Sequence, residues 1–268
     1  MDMNMMITFS TVIDWLTDGI PVPEQTVDRL ETGIPETEVR GIVTAFTASQ
    51  YVIEQAAALG ANLVISHEGI YYSHHDQRDW LGQDPVYRQK SALIAGTETG
   101  IYRFHDYIHR YTPDGITEGL IAELGWLEYV EEHRPAVSVL TLPPAPLREI
   151  AEYVKRKLQI SYVRAAGDLS GSCSRIGILA GYRGGGQLVI PLYGEEGLDL
   201  IIAGEGPEWE TPEYVRDALQ QGRSKALIML GHAESEAPGM KQLAERLAAQ
   251  FPAVPVRYIP ERPVFEVI

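Results

Sequence analysis

Three places in the sequence end an apolar run in side chains that can bind a cation or carry a proton. His67 and Glu68 follow ANLVIS (61–66), His105 and His109 follow IYRF (101–104), and His232 follows KALIML (225–230) with Glu236 four residues on. A spacing of four puts two side chains on one face of a helix, so the pairs His105/His109 and His232/Glu236 can each converge on one ion. A lone histidine at a strand end is more often a hydrogen-bonded loop residue. Three such places at equivalent strand ends shift the balance toward a site, because ligands in open α/β sheets gather beyond the carboxyl ends of the strands.

The elements that must carry these residues alternate between strand and helix. GIVTAF (41–46) reads as a buried strand, and SQYVIEQAAALG (49–60) as a helix capped by Ser49. NLVIS is the next strand, Asp84-Pro85 opens a helix, and IYRF leads into HDYIHR. GITEGLIAELG (115–125) is a helix that stops at its glycine. Charge and proline in EEHRP (131–135) and LPPAP (142–146) mark a linker. Beyond it come the strand AVSVLTL, the helix PLREIAEYVKRKLQ, and the strands RIGILAG and LDLIIAGE. TPEYVRDALQQG is a helix capped by Thr211, KALIML a strand, MKQLAERLAAQF an amphipathic helix and VPVRYI a last strand. This alternation predicts two α/β domains with mostly parallel or mixed sheets covered by helices. The first spans 1–132, completed by 250–268, and the second spans 133–249.

Composition bounds the partners. Lys+Arg 22 against Asp+Glu 37 gives a formal charge of -15 over 268 residues. That field repels phosphate backbones, and no local basic patch offsets it, so no nucleic acid is expected. One cysteine, Cys173, excludes an internal disulfide and a cysteine-based zinc site, and it has no histidine motif beside it. No apolar run reaches membrane-spanning length, and MDMNMMITFSTVIDWL has no basic start, so the expected location is cytoplasmic.

His74 and His75 lie in the polar loop YYSHHDQRDW (71–80) with Asp76 and Asp79. They read as solvated, with Tyr71, Tyr72 and Trp80 packing the loop down. GYRGGG (181–186) matches neither a P-loop nor the dinucleotide fingerprint and reads as a permissive turn before a phosphate cradle. No G-x-S-x-G is present, which disfavours a serine hydrolase.

ANLVISHEG, FHDYIH and GHAESE, in this order, resemble the Nif-three-like dinuclear metal-centre hexamer family, some of whose members are called GTP cyclohydrolase type two. That family has a strand ending in His-His-Pro, a middle His-Thr-Asn-Leu-Asp motif and a late Gly-His-x-x-x-Glu motif. His67 takes the place of the first His, with Glu68 where the family has its second. His105 opens the middle motif, and His109 stands where that motif has its metal-binding Asp. His232 and Glu236 match unchanged. The family's three imidazoles and two carboxylates are thus kept in number, although two have exchanged donor type.

The resemblance implies two divalent ions per chain (Zn, Fe, Mn or Co) held by His67, Glu68, His109, His232 and Glu236 in a cleft between the domains. His105 and Asp106 would act behind these ligands. It further implies a homohexamer, a trimer of dimers, and hydrolysis of a small molecule by a metal-bound hydroxide. A nucleotide or cyclic amide is the implied substrate class. A metal-binding or metal-delivery scaffold without catalysis is the alternative.

Overall fold

Apolar strands bounded by capped helices organise the chain into two units in the computed structural model, which describes residues 6–75 and 77–268. Residues 1–5 and Asp76 of the histidine loop lie outside the described residues. The first unit comprises Met1–Tyr111 with Met240–Glu266, and the second Thr112–Gly239 with Val267–Ile268.

The first unit runs through α1 (Phe9–Thr17), β1 (Arg29–Thr32), β2 (Ile42–Thr47), α2 (Gln50–Ala58), β3 (Leu63–Glu68), α3 (Pro85–Thr97), β4 (Gly100–Arg103) and the single turn α4 (Asp106–His109). Its sheet has the order β1-β4-β3-β2, closed by the returning strand Val256–Tyr258. Every pairing is parallel except that of β1 with β4. A parallel strand covered on both faces reads as a near-continuous apolar run, and β3 is buried from Leu63 through His67, with Ser66 and His67 its buried polar residues. Local chemistry sets the helix entries. Ser49 accepts from Val52 N, and Asp84 accepts from Tyr87 N with Pro85 at the first helical position. Val43, Val64, Ile53, Val52 and Ile101 form the core between sheet and helices. Each such aliphatic side chain contributes about 1.5–3 kcal/mol by leaving water.

The second unit contains α5 (Gly115–Leu124), β5 (Val130–His133), β6 (Ser138–Pro146), α6 (Leu147–Leu158), β7 (Arg164–Ala166), β8 (Ser172–Leu179), α7 (Gly186–Glu195), β9 (Leu200–Ala203), α8 (Thr211–Gln220) and β10 (Ala226–Met229). Its mixed sheet has the order β5-β6-β8-β9-β10-β7, parallel only between β8, β9 and β10. The last helix, α9 (His232–Gln250), starts in this unit and carries the chain back to the first. The expected class, two helix-covered α/β sheets, is what the chain forms.

Several details differ from the expectation. EEHRP and LPPAP are not a linker. Glu131 and Glu132 belong to β5, an edge strand whose acids pair with Arg175 and Arg134. Charge is usual on an exposed sheet edge, where it discourages pairing with another chain. Pro143 and Pro144 fall at an irregularity of β6, whose ladder with β8 is interrupted between Thr141 and Ala145. The division of the chain accordingly falls at Tyr111–Thr112 and Gly239–Met240, where 132–133 and 249–250 were expected. Residues 112–132 lie with the second unit because Tyr153 donates to Leu124 O, Trp126 stacks on Tyr153, and β5 pairs with β6.

Helix α7 carries Pro191 in its interior and three glycines at its entry, so its sequence reads as broken. Burial of Val189, Leu192 and Tyr193 overrides that local cost. Thr211 is not the cap of α8. It is the first helical residue, and its Oγ1 donates to Gly184 O at 2.7 Å.

Candidate metal centre

In the first unit the carboxyl ends of β3 and β4 bring three imidazoles together. His67 is fully buried near the end of β3, and its Nδ1 lies 3.1 Å from Phe104 O. That contact fixes the ring plane and turns Nε2 to the opposite side. His105 stacks on it with centroids 4.6 Å apart, and His109 meets it edge-on at 5.0 Å. The His105 and His109 rings are 5.2 Å apart. One donor atom from each of the three lies within 4.8 Å of the others. Two nitrogens on one zinc ion are at most about 4.2 Å apart, twice a Zn–N bond, so the donors stand close to coordination distance, with one of the stacked His67 and His105 rings having to turn before both could face the same cation. The residues present therefore fit a divalent metal.

The turn that presents His105 and His109 is capped from far away in sequence. Asp28 accepts from His105 N at 2.8 Å, Asp106 N at 2.7 Å and Tyr107 N at 3.0 Å. Asp106 in turn sits 2.9 Å from His105 Nδ1 and accepts from Val27 N. Its hydrogen bond to His105 is the main reason its carboxyl is held well below the usual range. A carboxylate on Nδ1 orients an imidazole and raises its basicity at Nε2, the arrangement common behind metal-ligating histidines.

Glu68, the last residue of β3, faces two ways. Oε1 lies 3.5 Å from His105 Nε2, and Oε2 lies 2.8 Å from Arg103 Nη2. Burial raises its pKa, but His105, His67 and Arg103 outweigh this and bring it to about 2. Arg103 is 1% exposed and donates to His74 O as well. The loop residue His74 thereby comes within 5.0 Å of the His105 ring and joins Glu68 and His105 in a second group of donors. Burial and the neighbouring Arg103 lower the His74 pKa against the pull of Glu68.

In the second unit the donors are His232 and Glu236 in the first turns of α9. Helix geometry realises their spacing as a contact, with His232 Nε2 3.2 Å from Glu236 Oε2. His232 Nδ1 lies 3.0 Å from Glu205 Oε2, just beyond the end of β9. Ser235 Oγ donates to His232 O at 2.8 Å and accepts from Gly181 N at 2.9 Å. Gly181 has φ +72°, and a Cβ there would come within 2.1 Å of Glu236 Oε1. Only a glycine leaves the buried carboxylate its place.

These two sets place the expected residues as follows. His67 and His109 share one group, joined by His105, and Glu68 lies beside His105 in the grip of Arg103. His232 and Glu236 touch each other. Residues 4–263 match the Duf34/NIF3 (NGG1p interacting factor 3) family. The chain belongs to that family. A relative from Escherichia coli (strain K12), a GTP cyclohydrolase 1 type 2 homolog, is 26% identical over 251 residues, which cover 91% of this chain and 89% of the relative. A GTP cyclohydrolase 1 type 2 homolog from Haemophilus influenzae is 25% identical over 256 residues, covering 92% and 91%. The crystal structure of a Bacillus cereus protein related to NIF3 superposes with a TM-score of 0.75 at 15% identity, covering 98% of this chain and 99% of that one. At that identity the likeness speaks for the fold alone. The family and the donor groups together support metal binding by this chain.

Four contributors were not singled out from the sequence: Asp28, Arg103, Glu205 and the carbonyl of Phe104. Arg103 left a signal, a charge inside a short apolar strand, and Glu205 left another, an acid at a strand end. Asp28 left none. The glycine-rich turn behaves as a permissive turn. The N–H groups of Gly181, Gly184 and Gly186 donate to Ser235 Oγ, Glu205 O and the Glu210 carboxylate. Of the loop aromatics Tyr71 is buried against Tyr87, whereas Tyr72 and Trp80 are exposed. Burial, then Asp199, pushes the Cys173 thiol up to about 11, which suits an inert residue. Among the described residues no helix is long and apolar enough to cross a membrane.

Proposed function

We propose that this protein binds two divalent metal ions and uses them for hydrolysis of a small molecule. The carrying observation is the gathering of His67, His105 and His109 within 4.8 Å in a chain of net charge -15. His67, Glu68, His109, His232 and Glu236 are the proposed ligands, from the family motif, with His105 beside them. Bound divalent ions supply Lewis acidity and a template that aligns water with substrate. The chain's own residues position that chemistry. Phe104 O and Asp106 set the planes of His67 and His105, and Glu205 sets that of His232. Mixed nitrogen and oxygen donors without a thiolate suit Zn, Fe, Mn or Co.

The relatives' name points to GTP, while the acidic field opposes a triphosphate. The substrate class is therefore taken as a nucleotide or a cyclic amide. Assembly into a homohexamer, a trimer of dimers, belongs to the same reading, and a monomer by sedimentation would remove it.

The test is metal analysis of tag-free protein followed by turnover. Two equivalents per chain are expected, with losses in His67→Ala, His232→Ala and Glu236→Ala. Background metal in the unaltered protein overturns the reading. Hydrolysis of a panel of nucleotides, phosphoesters and cyclic amides should collapse in Glu236→Ala while the fold survives. Metal-replete protein that turns over none of them is a non-catalytic metal scaffold.

A further inference from the structure

The geometry points to a groove of the second unit as the surface on which a second copy of this chain docks across a two-fold axis. This deepens the assembly part of the reading above and rests on it only for the two-fold. It owes nothing to the metal ions.

The groove, of about 780 Å3, is bounded by β6, α6 and the 3-10 turn Leu127–Tyr129, and Trp126, Tyr129, Leu142, Pro143 and Tyr153 line it. Its aromatic wall is fixed in advance. Trp126 stacks on Tyr153 with centroids 5.4 Å apart and planes 8° from parallel, and Tyr153 Oη donates to Leu124 O at 2.7 Å. A preset wall costs little ordering on association, and Trp, Tyr and Arg carry most of the binding energy at protein interfaces. Beside the wall stands a matching ridge. Pro143 and Pro144 are exposed where the ladder between β6 and β8 is broken, and aromatic-lined grooves receive such stiff proline segments.

The charges single out the occupant. Arg134, Arg164, Arg175 and Arg183 of the same unit are each paired with a carboxylate. Arg148 and Arg156, which line the groove, have no ion-pair partner among the described residues, and neither have Glu128 and Glu149 beside them. The remaining acid, Glu152, is held by Lys155 at 3.1 Å. A groove built for an anion would carry a surplus of cations, and one built for a cation a surplus of acids. Two unpaired arginines and two unpaired glutamates on one patch fit a partner with the same balance of charge. A second copy meets that requirement by construction, because a two-fold axis lays the patch on itself and makes every contact twice. The proline ridge of one protomer then enters the aromatic groove of its partner, and the reverse.

The experiment is sedimentation velocity of the full chain over a range of concentrations, with the fold of each variant checked by circular dichroism and melting. One variant combines Arg148→Glu with Arg156→Glu, a second combines Glu128→Lys with Glu149→Lys, and a third carries all four changes. Each of the first two faces like charge with like and should weaken the two-fold contact by about 100-fold or more, leaving particles of three chains or one. Mixed in equal amounts these two should recombine with each other, and the fourfold variant should associate as the unaltered chain does. Pro144→Arg, at an exposed position, should block the ridge and dissociate the contact without altering the four charges, and it decides the matter if the charge variants fail to fold. Variants that assemble as the unaltered chain does overturn the inference and leave the hexamer standing, and so does a mixture that fails to recombine. An unaltered chain that forms pairs but never sixes, with the pairs lost in the charge variants, supports the inference and removes the hexamer. An unaltered chain that stays monomeric removes both.

Discussion

Replacing Gly181 by alanine separates two costs that the structure makes unequal. Gly181 and Gly222 have nearly the same backbone, φ +72° and +73°, and both lie in the second unit. A residue with a Cβ pays about 1–2 kcal/mol for the left-handed region. Around Gly222 a new Cβ meets nothing within 4 Å, so Gly222→Ala should cost that amount alone. At Gly181 the Cβ would stand 2.1 Å from Glu236 Oε1 and 3.1 Å from its Cδ. The carboxylate must retreat by roughly 1 Å to restore van der Waals contact, away from the position in which it faces His232. Gly222→Ala should therefore lower the melting temperature by roughly 2–8 °C and leave metal binding intact. Gly181→Ala should lower it at least as much and weaken the ion that depends on Glu236. Calorimetry of stripped and metal-loaded protein reads both effects, since an ion that binds only the folded state raises the melting temperature. Equal melting shifts and equal metal gains in the two variants would refute the steric argument.

Three further outcomes follow from the side-chain environments. Lys90 is 3% exposed, and burial pushes its pKa from 10.5 to about 8 against the attraction of Glu261. Between about pH 8 and 10.5 the unfolded chain holds this proton and the folded one does not, so stability should rise with pH there; Lys90→Met should abolish that rise in denaturant titrations. Arg103→Met leaves the Glu68 carboxylate in a site built around a guanidinium and should cost about 3–5 kcal/mol in chemical denaturation, whereas a loss below about 1 kcal/mol would mean that the pair is solvated. Glu205→Gln removes the carboxylate 3.0 Å from His232 Nδ1 and should weaken the ion at His232 about 10–100-fold by competition titration, with an unchanged melting temperature in the stripped protein.

The caps of α2 and α3, the apolar runs of β2, β3 and β10, and the strand-helix alternation could all be read in the chain itself. So could the contact between His232 and Glu236, because helix geometry alone brings residues four apart onto one face. These features arise between near neighbours and need no knowledge of the rest of the molecule. The alliance of His67 with His105, the capping of α4 by Asp28, the hold of Arg103 on Glu68 and the support of His232 by Glu205 could not be read in that way. Each joins segments 27 to 79 residues apart. The same limit explains why EEHRP reads as a linker. Its charges look solvated until an edge strand gives their backbone a partner. Short-range spacing is set by bond geometry, but which strand ends become neighbours is set by sheet order and register, which only the folded chain decides.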